Sequence, residues 1–162
     1  MKDILYSDVI KDFLIDNNEL FRRNIRSNKW KKITIKPNQN DGYCQVNWKG
    51  TMYQCHRIMY VLFTKTDLKG DTIMDHKNGN RIDNRIENLR VCTLSQNAMN
   101  RRPMKTITGI KGVSKEKGLY VARIRINGKR KYIGSYCEIR DAEEAYKRES
   151  LRVHGEFSIY SS

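Results

Sequence analysis

Asp75 and His76 stand side by side at the head of an Asn-rich polar stretch, and Asn97 follows after a short apolar segment. These residue types suit hydrolysis of a phosphodiester. That reaction needs a base to activate water and a cation to stabilise charge on the phosphate and the leaving oxygen. A neutral imidazole fits the first task near neutral pH. A carboxylate beside it can hold a hard divalent cation such as magnesium. Neighbouring side chains on a strand point to opposite faces, so both reach one phosphate only if the strand end twists. Asn97, on a following helix, would close the cation site from the other side. Taken alone, a polar turn pair and a surface Asn are the commoner meaning of such residues.

The elements around them have to do the positioning. A strand is expected to end at Asp75, and Asn78–Gly79 marks a turn after it. Residues 89–92 form a second strand candidate. Thr93-Leu94-Ser95-Gln96 has the capping-box form, so a helix carrying Gln96, Asn97 and Asn100 should start there and stop before Pro103. The order is strand, long polar loop, strand, helix. Upstream, Val9, Ile10, Phe13 and Leu14 recur at helical spacing. Alternating segments follow at 32–36 and 43–48, and a Lys49–Gly50 turn leads into residues 52–55 as a hairpin. Residues 56–63 read as a short helix. Downstream, strands are expected at 111–114, 119–126 and 130–136, with Asn127–Gly128 turning the second into the third. A helix capped by Asp141, with Glu144 three residues on, should run to Gly155. A linker is expected at 104–108.

Composition narrows the partners. The 162 residues carry 32 Lys and Arg against 18 Asp and Glu, a net charge of +14, with 38% hydrophobic and 31% charged residues. That suits one or two small domains rather than one large core. Such an excess favours a polyanion, because neutralising phosphates releases condensed counterions. Nucleic acid leads, with an anionic membrane surface behind it. No apolar run approaches a membrane span, and the opening MKDILYSDVIKDF carries acids where a signal peptide is apolar. A soluble cytoplasmic protein with no membrane partner is expected. Cys44, Cys55, Cys92 and Cys137 are widely spaced with no C-x-x-C pair, so no structural zinc is expected. An intracellular setting disfavours disulfides, and all four read as packing thiols.

The run DHKNGNRIDNRIENLR, followed by T-x-S-Q-N, resembles the HNH nuclease family in its phage and homing-endonuclease branch. YQCHRIMYVLF resembles the His-Arg-containing helix that precedes the motif in that branch. The resemblance implies a ββα-metal fold, in keeping with the element order above, and divalent-metal-dependent hydrolysis of double-stranded DNA. By it, His76 is the general base and Asp75 a metal ligand. Asn88 is the central Asn whose amide braces the loop through backbone hydrogen bonds. Asn97 stands at the place of the final ligand, where many members have His. A neutral amide oxygen there points to magnesium or manganese rather than softer metals. Asn100 is a lesser substitute for Asn97. Arg90 either contacts the scissile phosphate or is a plain surface residue. His56 has no ligand pattern around it and reads as structural. His154 falls in the last turn of the terminal helix, where a cation suits the dipole.

The C-terminal third concentrates charge: nine Lys or Arg fall between Lys105 and Tyr136 against one acid, Glu116. Tyr120, Ala122, Ile124 and Ile126 share one strand face, and Arg123 and Arg125 the other. With the helix under the apolar face, a basic sheet remains that could enter the major groove. The segment GIKGVSKEKGLYVARIRINGKRKYIGSYCEIRDAEEAYKRESLRVHGEF resembles the plant ethylene-response-factor (APETALA-type) DNA-binding domain. By that resemblance Lys111, Arg123, Arg125, Arg130 and Tyr132 face DNA. Ser114 and Glu116 fall where plant members tend to have Arg, and Tyr132 replaces a Trp, so base preference does not transfer.

The expectation is an α+β chain. Residues 1–50 form an N-terminal extension, 51–103 a ββα-metal HNH core, and 104–162 an APETALA-type module of three antiparallel strands on one helix. A single metal centre should nick one strand; monomer or dimer is left open. A phage or mobile-element product in a bacterial cytoplasm is the implied setting. One rival is a non-catalytic DNA-binding regulator with a degenerate core. Another is a basic RNA-binding or assembly protein, disfavoured because paired strand aromatics are lacking apart from Tyr132.

Overall fold

Four pairs of consecutive residues with left-handed backbone shape the sheets: Asn17–Asn18, Lys49–Gly50, Lys117–Gly118 and Asn127–Gly128 all have positive φ. Two such residues in a row make the tight turn whose twist matches that of the flanking strands. The computed structural model describes residues 2–103 and 107–161 and shows a mixed α+β chain of small antiparallel sheets. Two compact units divide between Thr93 and Leu94. Part of the linker expected at 104–108, including Lys105, lies outside the described residues.

In the first unit, α1 (Tyr6–Asp12) runs into β1 (Phe13–Asp16), which pairs with β2 (Glu19–Arg23) and then β3 (Trp30–Lys32). The helical spacing of Val9, Ile10, Phe13 and Leu14 therefore misled. Val9 is buried on the helix and Ile10 is exposed, while Phe13 and Leu14 belong to a strand. The Asn17–Asn18 turn, acceptable because Asn tolerates left-handed backbone, closes this unforeseen hairpin. The alternating segment expected at 32–36 is a strand only at its first residue.

A second hairpin, β4 (Gln45–Trp48) and β5 (Thr51–Gln54), turns at Lys49–Gly50 as expected and leads into α2 (Cys55–Thr64). Phe13, Trp48, Tyr53, Ile58, Met59 and Val61 form the heart of the core with Leu20 and Leu89. The Trp48 indole is edge-on to Phe13 and donates its Nε1–H to Asp12 Oδ2 at 2.7 Å. A third hairpin joins β6 (Ile73–His76) to β7 (Leu89–Cys92) across the Asn-rich loop. Arg57 on α2 is 1% exposed and donates to Lys69 O and Thr72 O, both at 2.6 Å. It ties the helix to the segment that enters β6, and so sets where Asp75 and His76 begin.

The second unit opens with α3 (Leu94–Asn100), beginning within the capping-box segment. Its sheet, in order β8 (Val113–Glu116), β9 (Leu119–Ile126) and β10 (Lys129–Tyr136), packs on α4 (Ile139–His154). Val113, Ala122, Ile124, Ala142 and Tyr146 fill the interface. The helix begins at Ile139, two residues before Asp141, which sits in its first turn. Gly112, at φ +74°, lets the chain pass under the Tyr146 ring: a Cβ there would collide with that ring and lie 2.6 Å from Arg123 O. Among the described residues, no helix is long and apolar enough to cross a membrane.

Candidate active site

β6 and β7 pair so that Asp75 faces Arg90 and His76 faces Leu89. Arg90 reaches across the ladder and places Nη2 at 2.7 Å and Nε at 3.0 Å from Asp75 Oδ2. Both side chains are only 8% exposed. The open-surface alternative for Arg90 is corrected: it is buried as the cross-strand partner of Asp75. The reason is register: a buried carboxylate must be compensated, and Arg90 is the cation directly opposite.

His76 occupies different surroundings. Its ring lies 5.0 Å, edge-on, from the ring of His56, and 5.9 Å from that of Tyr43. Tyr43 also packs against His56 at 5.2 Å. Arg81 lies over the outer face of Tyr43, 4.9 Å from its centroid, and donates to Asp41 O. His76 Nε2 is 3.0 Å from Asn84 Oδ1. An amide oxygen only accepts, so this contact places a proton on Nε2 and the basic lone pair on Nδ1. Burial pushes the His76 pKa below its usual value, against an opposing pull from Asn84 and Asp75. His56 is pushed down further, to about 3, by burial first and then by His76 and Arg57. Both rings are thus neutral at neutral pH, which is the form a general base must take.

The loop between the strands is held by its own amides. Asn88 accepts from Asn78 N–H at 2.9 Å and donates Nδ2–H to Asp83 O at 2.7 Å. Lys77 N–H donates to Asn88 O at 2.8 Å. Asp83 accepts from Asn78 Nδ2 and from Nε and Nη2 of Arg85, each at 2.8 Å. The Arg85 hydrogen bond is the main reason that its carboxyl sits down at about 2. These bonds fix the loop from both ends, and Asn84 leaves it next to Asp83, aimed at His76. Asn84, Tyr43 and Arg81 were not singled out from sequence. Asn84 had a local signal in the Asp-Asn-Arg triplet, whereas Tyr43 is brought in only by tertiary packing.

Within the first unit, Asp75 is the kind of donor that suits a hard cation. Among the described residues, no group of three His, Cys, Asp or Glu is arranged to hold a metal ion. Magnesium, however, is commonly held by one or two carboxylates together with substrate phosphate and water. A carboxylate has about four lone-pair sites, so a guanidinium and a hard cation can share Asp75. An amide oxygen such as that of Asn97 is the same class of hard donor. Asn97 lies mid-way along α3, half-buried, in the second compact unit; Asn100 on the same helix is buried.

In the second unit, the outer sheet face carries Arg125 and Arg130 as a directly opposed pair, and Arg123 opposite Tyr132. Arg125, Arg130 and Tyr132 are exposed. Arg123 is engaged by both oxygens of Glu116, with Nη2–Oε2 at 2.8 Å, and its partner's carboxyl is held down at about 2 by that hydrogen bond. Lys111 departs from its expected place on the DNA-facing side. Its ammonium is held by Ala98 O, Met99 O and Arg101 O at 2.9, 2.6 and 2.7 Å, and burial lowers its pKa to about 8. The end of α3 exposes unpaired carbonyls, and a lysine ammonium satisfies them. His154 Nε2 is 3.1 Å from Arg125 O, which joins α4 to β9.

Residues 53–99 match the family model described as HNH endonuclease. Over 105 residues the chain is 28% identical to the protein named Uncharacterized HNH endonuclease L560 of Acanthamoeba polyphaga mimivirus. That alignment covers 65% of this chain and 55% of the mimivirus protein. The chain thus spans about half the length of the curated relative it matches. No solved structure matches. The matched segment contains β6, β7, the Asn-rich loop and most of α3, so the similarity to the HNH endonuclease family falls on the residues of the candidate site.

Proposed function

We propose that the chain is a divalent-metal-dependent HNH endonuclease of the phage or homing type that hydrolyses phosphodiester bonds in double-stranded DNA. Residues 51–103 would be its ββα-metal core and 1–50 an N-terminal extension. Residues 104–162 would be an APETALA-type module that targets the enzyme to DNA. The observation that carries this reading is the buried neutral imidazole of His76, oriented by Asn84, inside the segment that matches the HNH endonuclease model.

In this account His76 takes a proton from water at Nδ1 while its Nε2–H stays on Asn84 Oδ1. His56 and Tyr43 back the ring and keep it from swinging. Asp75 and Asn97 would hold a magnesium or manganese ion, which when bound supplies Lewis-acid charge to the phosphate and leaving oxygen. Arg90 holds the Asp75 carboxylate in its orientation. Asn88 fixes the loop that carries Asn84. Arg125, Arg130 and Tyr132 would face DNA, Arg123 joining them when Glu116 releases it. The setting proposed is a bacterial host cytoplasm, as a phage or mobile-element product. A non-catalytic DNA-binding regulator is favoured by one observation only, the engagement of Asp75 by Arg90. The two readings separate on supercoiled plasmid: with magnesium or manganese the chain should yield nicked circles, and with EDTA none. A protein that shifts duplex DNA yet leaves plasmid supercoiled with either metal is the regulator.

A further inference from the structure

Two thiols that the proposed chemistry does not use lie back to back behind the candidate site. Cys44 immediately precedes β4 and Cys55 immediately follows β5, so they extend the register of that hairpin, in which Gln45 faces Gln54. Cys55 N–H donates to Cys44 O at 2.9 Å, and the two sulfurs are 2.8 Å apart. Both are buried and reduced. Opposed residues of an antiparallel pair have Cα atoms about 4.5–5.5 Å apart, within the range that a disulfide spans. We propose that Cys44 and Cys55 form a redox-responsive dithiol that a hydroperoxide converts to an intrachain disulfide without rearranging the backbone.

The asymmetry of the pair sets the order of events. The Cys55 hydrogen bond lowers the Cys44 thiol to about 7, while the same bond and burial push Cys55 up. Cys44 is thus the thiolate and attacks one peroxide oxygen. The O–O bond breaks and hydroxide leaves, giving a sulfenic acid on Cys44. The Cys55 sulfur then attacks the Cys44 sulfur; the S–O bond breaks, and the departing hydroxide takes the Cys55 proton as water. Two thiols lose two electrons in all, and one peroxide becomes two waters. The residues adjoining the pair, Tyr43 and His56, are those whose rings pack on His76. The cross-link would therefore pin both backings of that ring to each other. The inert alternative, a pair of packing thiols, is the ordinary fate of buried cysteines.

The test uses the full chain with Cys92→Ser and Cys137→Ser, so that only the pair can react. After treatment with hydrogen peroxide, thiols are titrated in denaturant and the intact mass and peptide map are read. The expected result is joint loss of both thiols, a mass lower by two hydrogens, a linked Cys44–Cys55 peptide, and reversal by dithiothreitol. Closing this loop should also raise Tm by roughly 5 °C or more relative to the reduced protein. The same chain with Cys55→Ser should instead gain oxygen on Cys44 and form no intrachain link. Two thiols still titrating after peroxide, oxygen addition without a link, or only intermolecular dimers would each overturn the proposal. None of these outcomes bears on plasmid nicking.

Discussion

His76 Nε2 and Asn84 Oδ1 are 3.0 Å apart in the interior of the first unit, and that contact decides which imidazole nitrogen is basic. Asn84 is 4% exposed, and its Nδ2 has no hydrogen-bond partner among the described residues. A buried amide donor left unpaired is costly, by about 1–3 kcal/mol. Its retention is understandable if Asn84 serves to orient His76. Asn84→Ala should lower the nicking rate about 10–100-fold, in the range of lost outer-shell partners, with little change in DNA affinity. Asn84→Asp keeps an acceptor in place and should recover part of the loss. Single-turnover rates alongside binding isotherms check this; equal loss in both variants would exclude the orienting role.

His56 makes stability depend on pH in a definite direction. Its folded-state pKa is near 3 against 6.5 in the unfolded chain, so below pH 6.5 the unfolded state binds the extra proton. Stability therefore falls as pH drops from about 6.5 towards 3, by at most about 1.4 kcal/mol per pH unit from this group. His76 adds to the trend, since burial lowers it too. Urea midpoints between pH 7 and 5 should show a shallower slope in His56→Asn than in wild type. An unchanged slope would mean that His56 titrates normally in the folded protein.

Gly112 is a position where the second unit has no room for a side chain. The left-handed φ and the overlap with Tyr146 act together, and Gly112→Ala should cost about 2–4 kcal/mol. Hydrogen exchange should speed up in β8, β9 and α4 of the variant. Protection equal to wild type would show that the Tyr146 ring can move aside.

The outer face of the second sheet yields a graded prediction for DNA binding. Arg125→Ala with Arg130→Ala should weaken binding and reduce the slope of log K against log salt by about 2. Lys111→Ala should act on the stability of α3 rather than on that slope, because its ammonium serves the helix carbonyls. Glu116→Gln should strengthen binding by releasing Arg123. A salt slope unmoved by the double variant would remove this face as the reader.

What was legible from sequence follows the range of the interactions involved. β7 and β9 lie where alternation and turn residues placed them, because those signals are local. The first hairpin was not, because Val9, Ile10, Phe13 and Leu14 keep helical spacing across a helix-to-strand junction that only packing on Trp48 reveals. At the candidate site, the motif drew attention to Asp75, His76 and Asn88. The cross-strand capture of Asp75 by Arg90 depends on register, and the Tyr43–His56 backing depends on two hairpins and a helix meeting. Lys111 was misplaced because a basic residue ahead of a strand gives no sign that a helix end will claim it.

The most direct test of the account is chemical rescue at His76. Supercoiled plasmid nicking with magnesium should fall about 10²–10⁴-fold in His76→Ala, the range of a lost general base. Added imidazole should restore part of it, while EDTA abolishes both rates. A His76→Ala protein that nicks as fast as wild type, with or without imidazole, would contradict the assignment of His76 as the base.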